Sequence, residues 1–227
     1  MQASEPGEPS EPSESGESGS GGLRQRRKAL RRARILEAAR ELLRDRPDSV
    51  VSTERIAERA DVAPATVYNL IGPRDKIWEA LADGFMDELE RRLMAPDLMA
   101  LDGCGPREVV EATVQLFVSD PVVSRRMVRE WAESGLVFGR SALTPLRRAM
   151  ADAQAQGLLR GDIDTDALAA VVGASCMGAL HQWVAALIDD DRFLARSLYA
   201  LDVALAAAAA DASREQLLAP LRTGGAV

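Results

Sequence analysis

Apolar positions recur along this chain at spacings of three and four residues, the period at which side chains share one face of an α-helix. Between Arg24 and Arg44 that set is Ile35, Ala38, Ala39, Leu42 and Leu43. No sustained alternation of polar and β-branched residues marks a half-buried strand. The stretch "ADVAPATVYNLIGPRDKIWEAL", Ala60 to Leu81, is interrupted by two prolines and a glycine. It reads as the end of one short helix, a second short helix, and the start of a long one, with turns at the breakers. The pattern predicts helices over about 24–44, 53–59, 64–70, 74–94, 106–119, 122–134, 140–156, 165–188, 192–211 and 214–219. Ser52 or Thr53 can cap the second helix, "RDRPDSVVS" forms the loop before it, and no internal repeat is visible. The expected fold is all-α.

Composition narrows this reading. The chain has 227 residues, 47% hydrophobic and 4% aromatic, enough for one or two domains with a real core. Ala, Leu, Arg and Glu dominate, and all are good helix formers. Cys104 and Cys176 form no CxxC pair, and a disulfide between them has no support in the sequence. With His181 as the sole histidine, a His/Cys zinc site is not expected, nor is any other metal or cofactor. No basic region leads into an apolar run at the N-terminus, so a cytoplasmic protein with reduced thiols is expected.

Ala167 to Ile188 carries no formal charge and is long enough to span a bilayer. Acids flank it on both sides (Asp164, Asp166, Asp189, Asp190, Asp191), and basic anchors are missing beside it. A core helix buried on several sides is the expectation, with no membrane partner.

The net charge of −7 hides a division into three. Residues 1–22 hold five glutamates and no base, residues 23–76 hold fourteen bases against eight acids, and residues 77–227 hold fourteen against twenty-two. The basic middle part points to a polyanion partner for that part alone, because phosphate attraction follows local charge. The low-complexity segment 1–22 is expected to be a disordered acidic tail.

A helix–turn–helix needs two short helices crossing steeply, with apolar residues pinning their inner faces. Ile56, Ala57, Val62, Val67 and Leu70 supply these pins. Pro64 suits a first helical position, where its missing N–H was unpaired anyway. Ala65, Thr66, Tyr68 and Asn69 are left to face outward, and small or polar residues there suit base edges in a major groove. Gly72 and Pro73 end that helix, so the next begins with its N-terminus and Arg74 beside the backbone phosphates.

The stretch "TERIAERADVAPATVYNLIGPRDKIWEAL" resembles the DNA-binding module of the TetR family of bacterial regulators. Thr53, Ile56, Ala57, Ala60, Val62, Thr66, Val67, Tyr68, Gly72 and Asp75 fit the family pattern in spacing. Asp61 stands where Gly is usual, Ala63 where Ser is, Ile71 where an aromatic is, Pro73 where Ser or Asn is, and Arg74 where Lys is. The resemblance covers about residues 27–81. It implies DNA contact by Arg27, Arg31, Thr53, Ala65, Thr66, Tyr68, Asn69 and Arg74.

The resemblance also implies a domain plan. A helix–turn–helix DNA-binding domain, 23–73, is followed by a helical effector-binding and dimerisation domain, 74–227. Small residues at Ala170, Ala174 and Gly178 form a face suited to a subunit interface, and Leu194, Leu198, Leu201 and Leu205 suit the second pair of a four-helix bundle. Candidate pocket residues are Phe85, Met86, Leu89, Phe117, Met127, Trp131, Phe138, Met150, Met177 and His181, since Met and aromatic side chains line adaptable apolar cavities.

The function so implied is a ligand-responsive regulator, a repressor that binds a palindromic DNA operator as a homodimer and is released by a small-molecule effector. An activator of the same family stays open. So does a helical adaptor or membrane-associated protein using 167–188 as its partner surface. "GASCM" at Gly173 to Met177 half-resembles a nucleophile elbow, but its last glycine is missing and its context is helical, so no enzyme is expected.

Overall fold

Helix-breaking residues and side-chain caps divide the chain much as its pattern predicts. The computed structural model describes residues 18–45, 51–94, 105–134 and 143–223. Its α-helices among these are α1 Ser18–Asp45, α2 Thr53–Arg59, α3 Pro64–Leu70, α4 Arg74–Leu93, α5 Pro106–Val118, α6 Pro121–Ser134, α7 Leu143–Ala155, α8 Thr165–Val184, α9 Asp190–Ala208 and α10 Arg214–Thr223. The described residues hold no strand beyond one isolated bridge between Leu159 and Ala209. The fold is all-α.

Several boundaries differ from the expectation, the last helix for instance running to Thr223 in place of about 219. α1 begins at Ser18, so Ser18 to Gly22 are helical although they fall within the stretch assigned to the tail. Ser and Gly favour this weakly, but extending a formed helix needs no new nucleus. Residues 1–17 lie outside the described residues. α8 stops at Val184 rather than 188, because Ala186 turns to φ 57°. The Leu187 amide then donates to Gln182 O (2.9 Å) and the Ala186 amide to Trp183 O (3.0 Å), a Schellman end. Asp189 caps α9 by accepting from the Arg192 amide at 2.8 Å, and α9 ends at Ala208 rather than about 211.

The expected inner face of α1 is buried in full: Ile35, Ala38, Ala39, Leu42 and Leu43 are each at most 5% exposed. They share one apolar core with Ile56, Ala57 and Val67 of α2 and α3 and with Ile77, Trp78 and Leu81 of α4. Val62 and Leu70 pack against it half-buried. A run of aromatic rings carries the core onward: Phe85 of α4 lies 4.5 Å from Phe117 of α5, which lies 6.4 Å from Phe193 of α9. Phe193 in turn stacks on Trp183 of α8 at 5.5 Å. The buried carboxylate of Asp202 is satisfied by Arg107 at 2.8 Å, tying α9 to α5.

Among the described residues, Arg44 and Arg74 tie the first three helices and the start of α4 to the remainder by ion pairs. Arg44 reaches Asp120 at 2.7 Å, and Arg74 reaches Glu130 at 3.5 Å. Arg44 also holds Glu37 at 2.8 Å, and Arg40 holds the same carboxylate at 3.1 Å. The hydrogen bond from Arg44, ahead of that from Arg40, holds the Glu37 carboxyl below the usual carboxylate range. A carboxyl depressed by folding adds stability above its unfolded pKa and loses it as pH falls through the folded value. With the Glu37 side chain 47% exposed, the contribution stays under about 1 kcal/mol. Glu37→Gln is therefore expected to lower the urea midpoint slightly at neutral pH, and less at acid pH where the depressed Glu37 carboxyl takes up its proton. An equal loss at both pH values would contradict this.

Candidate nucleic-acid interface and ligand cavity

The turn between α2 and α3 is built by a reversal of backbone hand. Asp61 adopts φ 51°. Its amide donates to Glu58 O (3.2 Å) and the Val62 amide to Ala57 O (3.0 Å), closing a Schellman motif. This is the position where the TetR pattern has glycine, and aspartate is among the few other residues that adopt this hand without great strain. The Asp61 carboxylate meets Arg34 of α1 at 3.1 Å. α3 then starts on Ala63, which gives no side-chain cap, and on Pro64 in its first turn. Ser52 caps α2 by accepting from the Arg55 amide at 3.3 Å, so Thr53 is the first helical residue instead of the cap.

Val67, fully buried, pins α3 to the core, and the helix turns its other faces outward. Ala65, Tyr68 and Asn69 are exposed and Thr66 is half-buried. Tyr68 is 62% exposed, so it is not spent on packing against α1. Thr53 is half-buried. The stretch of α1 from Arg24 to Arg34 holds seven bases and no acid. Arg27 and Arg31 are exposed there, as is Leu30 at 71%. Arg74 is exposed too, but its guanidinium is engaged by Glu130, which also takes Arg126 at 2.6 Å.

α3 and α4 are separated by Ile71, Gly72 and Pro73 alone. Gly72 has φ 116°, and a side chain there would also stand 3.0 Å from Lys76 Cβ. Glycine is needed at this joint. α4 therefore leaves the end of α3 with little slack.

Farther along α4, Phe85 forms part of the wall of a cavity of about 460 Å³. α5 supplies Val109, Val110, Thr113, Val114 and Phe117, α7 supplies Leu143 and Leu146, and α9 supplies Phe193. α8 completes it with Ala170, Gly173, Ala174, Cys176, Met177 and Leu180. Of the pocket residues expected from the sequence, Phe85, Phe117 and Met177 line this space. Met86, Leu89, Met127 and Met150 are buried core residues outside its lining. His181 is not among the lining residues and is exposed. Phe138 and the side chain of Trp131 lie outside the described residues.

The missed wall is mainly the valine face of α5 and the small residues of α8. Selecting for Met and aromatic side chains passed over both, although Val110, Val114 and Phe117 recur at helical spacing.

α8 also corrects the expectation of a helix buried on several sides. Val172 and Trp183 are fully buried, but Ala170, Ala174, Ser175 and Gly178 are exposed, and so is Val171 at 62%. By length and composition α8 is the one helix among the described residues apolar enough to cross a membrane. On α9 the leucines are turned inward: Leu201 and Leu205 are buried, and Leu194 and Leu198 half-buried. The outward apolar line of α9 is instead Tyr199 and Val203, 43% and 45% exposed.

With this geometry in hand, comparison with known proteins is informative. The family model for bacterial regulatory proteins of the tetR family matches residues 35–70. A Rhodococcus sp. protein described as a TetR-family transcriptional regulator superposes with a TM-score of 0.59 at 19% identity, over 78% of this chain and 99% of that one. SmeT, the repressor of the Stenotrophomonas maltophilia multidrug efflux pump SmeDEF, gives 0.55 at 25% identity over 80% and 92%. TylP, a TetR regulator from Streptomyces fradiae, gives 0.55 at 18% over 84% and 92%. A search of curated protein sequences finds no significant match. Fold and module together define a DNA-binding regulator of transcription. Residues 35–70 match the tetR-family model, and the fold over most of the chain is similar to that of TetR-family regulators.

Proposed function

We propose that the protein is a cytoplasmic, ligand-responsive repressor that binds a palindromic operator as a homodimer and lets go when a small molecule fills the cavity. In this reading residues 23–73 are the DNA-binding domain and 74–227 the effector and dimer domain. Ala65, Thr66, Tyr68 and Asn69 meet base edges, while Arg27, Arg31 and the Thr53 hydroxyl meet phosphates. Arg74 adds charge at the start of α4, where a phosphate competes with Glu130 for it.

One observation carries the mechanism: α4 bears the recognition helix at one end and a cavity residue, Phe85, further along. Eleven residues of helix separate Arg74 from Phe85, about 16 Å at 1.5 Å per residue. A ligand that favours a tilted α4 shifts the population toward wrongly spaced recognition helices.

The exposed faces of α8 and α9 support the dimer. One recognition helix reads few base pairs, and two related by a twofold axis engage successive major grooves about 34–36 Å apart. Val171 on α8 and Tyr199 and Val203 on α9 are large apolar side chains left to water, the kind of surface a second copy covers.

Selection from random duplexes should return a palindrome bound with strong salt dependence. Val171→Glu should yield a monomer by sedimentation and abolish tight operator binding. A protein that ignores all duplexes at low salt refutes the regulator reading. A V171E chain that stays dimeric refutes this interface, and a native chain that enters vesicles through α8 would favour the membrane alternative.

A further inference from the structure

Among the described residues walling the cavity, only Thr113 and Cys176 carry a side-chain hydrogen-bond donor. Asp, Glu, Lys, Arg and His are all missing from the lining among the described residues. The Thr113 hydroxyl donates to Val109 O at 2.7 Å, so its hydrogen is spent while its oxygen can still accept. The Cys176 sulfur lies 4.0 Å from Ser197 O, and burial pushes its thiol up, so it stays uncharged. An ion brought into such a wall would leave water without a counter-charge to replace its hydration. A ligand acceptor facing Thr113 would meet lone pairs in place of a hydrogen.

We infer that the ligand of this cavity is an uncharged, largely apolar molecule that presents one hydrogen-bond donor, a hydroxyl or N–H, to Thr113 Oγ1. The assignment rests on the proposed effector role of the cavity for its regulatory meaning, but its chemistry follows from the wall alone. The volume of about 460 Å³ lies in the range of small-molecule sites. Gly173 helps to create it: a Cβ there would fall 2.2 Å from Leu143 Cδ2, so the missing side chain is what lets α7 close over α8.

Four probes sharing one skeleton test the assignment by calorimetry on the full chain: 4-hydroxybiphenyl, 4-methoxybiphenyl, biphenyl-4-carboxylate and protonated 4-(aminomethyl)biphenyl. The hydroxyl compound should bind about tenfold tighter than the ether, the scale of one hydrogen bond. It should bind at least about a hundredfold tighter than either ion. Thr113→Val, nearly the same shape, should bring the hydroxyl compound down to the level of the ether. Val114→Phe, which fills the cavity, should abolish binding of both neutral probes; should that variant fail to fold, T113V decides alone.

Either ion binding as tightly as the hydroxyl compound overturns the inference. So does binding by none of the four, or a T113V chain that keeps the hydroxyl preference. Operator release is read separately by band shift. The expected order of binding with the DNA complex left intact would sink the repressor mechanism and leave the cavity's chemistry standing.

Discussion

Replacing Thr66 and Tyr68 together by alanine is expected to lower operator affinity at least about a hundredfold, with the helical content and urea midpoint nearly unchanged. A base contact is worth roughly 1–3 kcal/mol, and the proposed dimer would lose each one twice. Stability should hold because Tyr68 is 62% exposed and the buried anchor of α3, Val67, is untouched. The salt dependence separates this loss from a phosphate effect. Neither side chain is charged, so the slope of affinity against salt should stay at the native value. Arg27→Ala or Arg31→Ala should do the opposite, lowering the slope while weakening binding to every sequence alike. A double variant that binds its operator with native affinity would remove α3 as the reader.

Trp183→Ala should cost about 3–5 kcal/mol, a large part of the roughly 5–15 kcal/mol typical of a whole domain. Trp183 is fully buried and stacks on Phe193 at 5.5 Å. The Arg125 guanidinium lies 4.5 Å from its ring centroid, and its indole N–H donates to Asp190 Oδ1 at 2.7 Å. Alanine removes the packed volume, the cation–π contact and the donor in one step. Trp183→Phe keeps most of the volume and loses the donor, so it should cost less, about 1–2 kcal/mol. Urea unfolding at fixed protein concentration measures both, since a dimer's stability depends on concentration. A loss under 1 kcal/mol for W183A would show that the site relaxes around the gap.

The recognition module was legible because its constraints are local. Pro64 at a first turn and Gly72 at a positive φ act on their own backbone, and their consequences can be read from neighbours in sequence. The inner face of α1 was legible for a related reason, as a helix with one apolar stripe has a single sensible way to bury it. Asp61 shows where this stops. Its departure from glycine was visible, but the Schellman turn that holds it and the Arg34 pairing needed coordinates. The α8 boundary failed for want of a signal, since an alanine rather than a glycine adopts the left-handed position at Ala186.

The cavity and the outer surface of α8 were harder to foresee because both depend on rotation of helices about their own axes. The leucines of α9 looked fit for a partner, yet packing against α8 and α5 turned Leu201 and Leu205 inward and left Tyr199 and Val203 outside. Met86, Leu89, Met127 and Met150 have the chemistry of a pocket lining but point into filled core, while five residues of α5 and the small side chains of α8 leave the space open.

Sequence by itself determined the all-helical class, the helix–turn–helix with its basic leading helix, and the face each short helix turns to the core. Those follow from backbone chemistry and from periodicity, which act over a few residues. Tertiary structure decided which side of α8 and α9 faces water, where a void remains, and that the described residues of its wall hold no charge. Such features are set by how helices distant in sequence rotate and interlock, and a void is defined by the atoms that packing fails to bring together.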